Sequence, residues 1–132
     1  MNTVADMIDN FIEAPNVVTE AGFRMLLAEG LQAEIVCLED AEFRNAVWRG
    51  AWSISAINKE ETKRFLVVVA RANDRRPDEI RVRVWKTAGS LLSFLRKYGA
   101  DRVTIPFDAG TRALHPPVYD PESGDPLPDW AD

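Results

Sequence analysis

A chain of 132 residues, 46% of them apolar and 28% charged, has the composition of one folded domain and can bury a core without disulfides or a metal. A formal net charge of −5 speaks against general nucleic-acid binding, and a single cysteine, Cys37, excludes an intrachain disulfide. The longest apolar run, residues 65–70, is far short of a membrane span, and Asp6 and Asp9 stand where a secretion signal would be basic and then apolar. A cytoplasmic protein with no membrane partner is therefore expected.

Thr3 to Glu13 places Val4, Met7, Ile8, Phe11 and Ile12 at helical spacing, and Pro15 ends the run. A second helix is expected after Thr19, burying Phe23, Leu26 and Leu27 and ending at Gly30. The short link between them suggests a helical hairpin.

The period then changes to two. Residues 31–38 read as a half-buried strand, followed by a polar break, EDAE. Residues 46–57 place Trp48, Trp52 and Ile54 on one face, and Arg49, Ser53 and Ser55 on the other. NKEET is a turn. Residues 64–70 are apolar on both faces, as a central strand would be. RANDRRPDE is a polar hairpin loop, and EIRVRVWK, residues 79–86, is a fourth strand. Alternation puts Arg81, Arg83 and Trp85 on one face of it.

KTAGSLLSFLRKYG, residues 86–99, is a helix capped by Thr87. Its stripe is Leu91, Leu92, Leu95 and Tyr98, widened by Phe94, and Gly99 ends it. Residues 102–107 read as a short fifth strand with Pro106 at its edge. The expected fold class is α+β: two N-terminal helices, a four-stranded antiparallel meander, one covering helix and a short fifth strand, in a single domain of residues 1–115. Residues 116–132 hold five prolines, five acids and no base. They read as an extended, disordered acidic tail with an unusual Trp130 near its end.

Catalytic chemistry finds little support. His115 occurs alone beside two prolines, Cys37 sits in an apolar strand without a CxxC partner, and no nucleophile elbow, phosphate loop or zinc spacing is present. Glu39, Asp40 and Glu42 form a carboxylate group that reads as a solvated turn. Asp108-Ala109-Gly110-Thr111 also reads as a turn, because an aspartic-protease dyad needs a second carboxylate. No catalytic residue, metal or cofactor is assigned.

Charge is unevenly spread. Residues 1–58 carry nine acids and three bases, residues 59–102 six acids and twelve bases, and residues 103–132 six acids and one base. The basic segment contains the strand face of Arg81, Arg83 and Trp85. With Arg75 and Arg76 of the preceding loop, these are the candidate binding residues, since arginine and tryptophan are enriched at binding hot spots. The alternative is that the arginines pair with acids of this chain while Trp85 packs under the helix.

Residues 80–105, IRVRVWKTAGSLLSFLRKYGADRVTI, resemble the ParC-type family of small partition-accessory proteins of bacterial plasmids. In that family a strand ending in an aromatic or basic residue leads into a helix of the form L-x-x-x-x-x-F-L-x-x-x-G, and a short strand follows. Trp85, Lys86, Leu91 or Leu92, Phe94, Leu95, Gly99, Val103 and Ile105 are the matching positions. The resemblance reaches about residues 64–107. It implies a non-enzymatic accessory protein of a plasmid or other mobile element. The reading that follows is a regulatory binding module acting on a protein partner. The rivals are a nucleic-acid binder using residues 59–102, and a small acidic inhibitor of a host defence or rival plasmid.

Overall fold

The computed structural model describes residues 16–69 and 81–131, and within them the chain is a mixed α+β fold. The order is β1 (Val17–Val18), α1 (Glu20–Ala28), β2 (Gln32–Arg44), β3 (Val47–Ile57), β4 (Arg64–Val67), β5 (Trp85–Thr87), α2 (Ala88–Lys97) and β6 (Arg112–Leu114), with a final 3-10 turn at Asp129–Ala131. The helix expected at Thr3–Glu13 lies outside the described residues.

The sheet runs β1-β4-β3-β2-β6, and β5 pairs with β3. Strands β2, β3 and β4 form the expected antiparallel meander. The fourth strand departs from it. The far edge of β4 is taken instead by β1, in parallel register, so the residues just before α1 form a strand. Of the strand expected at 79–86, the described part, residues 81–86, is not one continuous strand: Val82 makes a single bridge to Val68, and Trp85–Thr87 pairs with β3. Residues 102–107 are not a strand either. That role falls to β6, antiparallel to β2, while the Pro106 carbonyl accepts a 2.8 Å bond from Trp52 Nε1.

β2 is longer than its polar sequence suggests. It absorbs Glu39, Asp40 and Glu42 through register shifts and continues to Arg44. Asn45 and Ala46, with φ of 53° and 63°, then close a two-residue hairpin of the kind that matches strand twist. The carboxylates expected in a turn thus stand on a strand.

One sheet face carries Ala33, Ile35, Cys37, Trp52, Ile54, Ala56, Phe65 and Val67 into the core. Both helices cover it. α1 contributes Phe23, Leu26 and Leu27, and α2 contributes Leu91, Phe94, Leu95 and Tyr98, as helical periodicity requires. Leu92, expected on the stripe, is exposed. Thr87 caps α2 by accepting from the Ser90 N–H, and the Ser90 hydroxyl donates back to the Thr87 carbonyl. Gly50 is dictated by packing: a Cβ there would come within 2.8 Å of the Trp52 ring.

The opposite face buries a charge. The Glu34 carboxylate has no solvent exposure and accepts from Arg64 of β4 and Arg112 of β6; Arg112 also reaches Glu61. Burial alone would raise the Glu34 pKa, but the two guanidiniums more than reverse this and hold it below the ordinary value.

The C-terminal segment overturns the disordered-tail expectation. Val118 and Trp130 pack against the core, the Tyr119 hydroxyl donates to the Asp125 carbonyl at 2.8 Å, and Pro121 lies against Gly30. Trp130 meets Tyr98 edge-on at 6.1 Å, above Gly99. Gly99 is required twice, by its φ of 94° and because a Cβ would come within 2.7 Å of Trp130 Nε1. Composition favoured disorder, yet a few apolar anchors joined by stiff prolines suffice to fix the strap.

Candidate functional site

The structure divides the expected basic face: Trp85 turns into the core, Arg83 is partly buried and Arg81 is exposed. Trp85 is only 5% exposed and packs 4.8 Å from Phe94 beneath α2. The Arg83 guanidinium lies 4.8 Å from the centre of the Trp85 ring and 5.0 Å from that of Phe94, and donates to Glu20 at 2.7 Å. Arg83 and Trp85 are therefore brought together, but as parts of the fold. Arg81 is exposed and its carbonyl accepts from the Val69 N–H, as edge backbone does. Arg75 and Arg76 lie outside the described residues.

Glu20 is the hub of this region. At the N-terminus of α1 it receives Arg83, the Lys97 ammonium at 3.0 Å and the Tyr98 hydroxyl. Burial would raise its pKa; the hydrogen bonds from Tyr98, Lys97 and Arg83 outweigh that and bring it from 4.5 down to about 2. Burial and the same carboxylate push the Tyr98 phenol up. The hub ties α1, α2 and the segment before β5 into one unit.

His115, Cys37 and Asp108–Thr111, which the sequence did not support as catalysts, each sit in a local hydrogen-bond arrangement. His115 is buried, with Nε2 accepting from the Thr104 N–H at 2.9 Å and Nδ1 facing the Ala33 carbonyl at 3.2 Å. This arrangement is satisfied by the neutral ring protonated on Nδ1. Cys37 is buried with its thiol donating to the Glu39 carbonyl, and burial raises its pKa, which keeps it a thiol. Asp108–Thr111 is a turn, closed by a 3.0 Å bond from the Thr111 N–H to the Asp108 carbonyl. Among the described residues no His, Cys, Asp and Glu group of three or more is placed to hold a metal ion, and no helix is long and apolar enough to cross a membrane.

A different surface stands out, at the far end of the β2–β3 hairpin. Phe43 and Trp48 face each other across the hairpin with ring centres 5.4 Å apart, and Phe107 stacks on Trp48 at 5.1 Å with the rings within 8° of parallel. The three remain 59%, 42% and 47% exposed. The Ala41 N–H donates to the Phe107 carbonyl at 2.8 Å, and the Ala109 N–H donates to Asp40 Oδ1 at 2.7 Å. These bonds hold the 107–109 loop beside β2 and so position the third ring.

Sequence reading missed this cluster. Trp48 belongs to the strand face of Trp52 and Ile54, but the helices cover those two and leave Trp48 bare. A signal was present: Phe43-Arg44-Asn45-Ala46-Val47-Trp48 fits a two-residue hairpin with aromatics in facing positions. The acids before it disguised the strand. Comparison with known protein families, with curated proteins and with solved structures finds no match to this chain.

Proposed function

We propose that this is a non-enzymatic cytoplasmic binding module that acts through a protein partner. The observation that carries the reading is the exposed Phe43–Trp48–Phe107 stack. Three large rings held in contact with one another at a protein surface are costly to leave hydrated, and aromatic clusters of this kind form the centres of protein interfaces. Stacking on one another and fastening by backbone bonds pre-organises them, which lowers the entropy lost on docking.

An accessory or regulatory role is the one the ParC-type resemblance implies, and the small acidic inhibitor of a host or rival system falls in the same binding-module class. A nucleic-acid interface along residues 59–102 is less well supported. Arg64 is neutralised by Glu34, and Arg83 and Lys97 by Glu20, so acids from outside the segment interrupt its positive charge.

Affinity capture from the native host with quantitative mass spectrometry tests the reading. A specific protein should be captured by the wild type and by a Leu92→Ala control, and lost with Trp48→Ala. Equal capture by all three would remove the hairpin end from the function, and nucleic acid in place of protein in the eluate would favour the rival.

A further inference from the structure

We propose that the second face of the sheet, turned away from α1 and α2, is the docking face of this chain's own residues 1–15. A sheet with one face in water alternates apolar and polar side chains along its strands. β3 departs from that pattern. All of residues 51–57 are buried, and on the second face Ser53 is 5% exposed and Ser55 and Ile57 are 1% exposed. Val68, turned oppositely to Val67 at the end of β4, is also 1% exposed. Arg64 and Arg112 reach Glu34, which stands opposite Ser55, but Ser53 lies farther along, opposite Val36. Both helices, the 103–105 segment and the strap residues Val118 and Trp130 pack against the core of the first face. The burial of the second face therefore calls for a segment outside the described residues.

Two stretches are available, and composition separates them. Residues 70–80 carry six charged side chains and a proline, which suits no apolar face. Residues 1–15 carry Val4, Met7, Ile8, Phe11 and Ile12 at helical spacing, which makes one apolar stripe. The chain also enters at the right place. On the edge strand β1 the Asn16 carbonyl accepts a 2.9 Å bond from the Leu66 N–H, and Leu66 stands opposite Ser55. Asn16 has a φ of 69°, so the backbone turns off the strand line there. The lengths agree as well. A helical stripe from residue 3 to residue 13 extends ~16 Å, and β3 from Ala51 to Ile57 runs ~20 Å. Docked on this face, residues 1–15 keep it from water and from other chains.

The experiment uses the full-length chain. Ser53→Cys places a thiol of similar size on the second face, while Cys37 lies buried in the core of the first and reports on the fold. Paired one at a time with Val4→Cys, Met7→Cys, Ile8→Cys or Phe11→Cys, the new thiol should close an intrachain disulfide with at least one of them on mild oxidation by diamide. Paired with Asp6→Cys or Asp9→Cys, on the other side of the stripe, it should not. Maleimide labelling gives a second readout. The Ser53→Cys thiol should be protected in the otherwise unchanged chain. Adding Ile8→Asp and Phe11→Asp should speed its labelling about tenfold or more while Cys37 stays protected. Exposure of both thiols together would mean that these substitutions unfold the chain, and the disulfides then decide. The proposal is overturned if no stripe position cross-links, if Asp6→Cys or Asp9→Cys cross-links as readily, or if the disulfide joins two chains. It is overturned equally if Ser53→Cys labels freely from the start, or if the aspartate substitutions leave its labelling unchanged.

Discussion

Trp85 and Trp48 sit in similar sequence surroundings and meet opposite fates. Each stands in a β-strand with an arginine close by, yet Trp85 is buried under α2 with Arg83 against its ring, while Trp48 lies bare between two other aromatics. A strand pattern specifies two faces; it does not say what will lie on each. At Trp85 the following helix folds straight back over the strand. At Trp48 the hairpin runs beyond the helices, and its aromatics find only each other and Phe107. The same residue types thus serve cohesion in one place and recognition in the other.

The sharpest way to break this contrast is to truncate both rings. Trp85→Ala should cost ~3–5 kcal/mol, as for a large buried aromatic, and should lower the urea midpoint severely. If the loss were under ~1 kcal/mol, burial in the core would be the wrong account of Trp85.

Glu34→Ala comes next. It leaves Arg64 and Arg112 without the carboxylate that both address, and a drop of ~2–3 kcal/mol is expected from the charge-assisted bonds lost. Because both arginines keep access to water, the full penalty of a stranded buried charge does not apply. Chemical denaturation measures it, and a neutral result would mean that the network is idle.

Trp130→Ala probes the strap that lies against the α1–α2 unit. The ring is partly buried against Tyr98 and Gly99, so ~1–2 kcal/mol is expected, read as a fall of several degrees in melting temperature. An unchanged melt would return residues 116–131 to the status of a dispensable tail.

Acid should act on the Arg83–Trp85 region and spare the hairpin end. The folded pKa of Glu20 lies below its unfolded value, so its contribution is complete above about 4.5 and is lost as pH falls toward 2. Allowing for its partial exposure, the contribution is on the order of 1 kcal/mol. The melting-temperature gap between wild type and Glu20→Gln should be present at neutral pH and close in strong acid. A gap that widened in acid would contradict the sign. The smallest effect belongs to Trp48→Ala, within ~0.5 kcal/mol of wild-type stability, because a surface ring contributes little to folding. A larger loss would make the exposed stack part of the scaffold.

Local patterning carried much of this fold. Apolar residues at helical spacing placed α1 and α2, Thr87 and Gly99 marked the ends of α2, alternation found β3 and the first half of β2, and a continuous apolar run found β4. These features are decided within a few residues of chain, by side-chain direction and backbone preference. The identity of the candidate surface was not local. Whether Arg83 met solvent depended on Glu20, distant in sequence, and on the ring of Phe94 from the next helix. Whether residues 116–131 were ordered depended on Gly99 leaving room for Trp130. The Phe43–Trp48–Phe107 stack needed a hairpin and a far loop to meet. The sequence by itself determined α1, α2 and the cores of β2, β3 and β4 with their apolar faces, because those follow from period and propensity. The tertiary structure alone decided which aromatic and charged groups remained exposed, because exposure depends on which segments pack together.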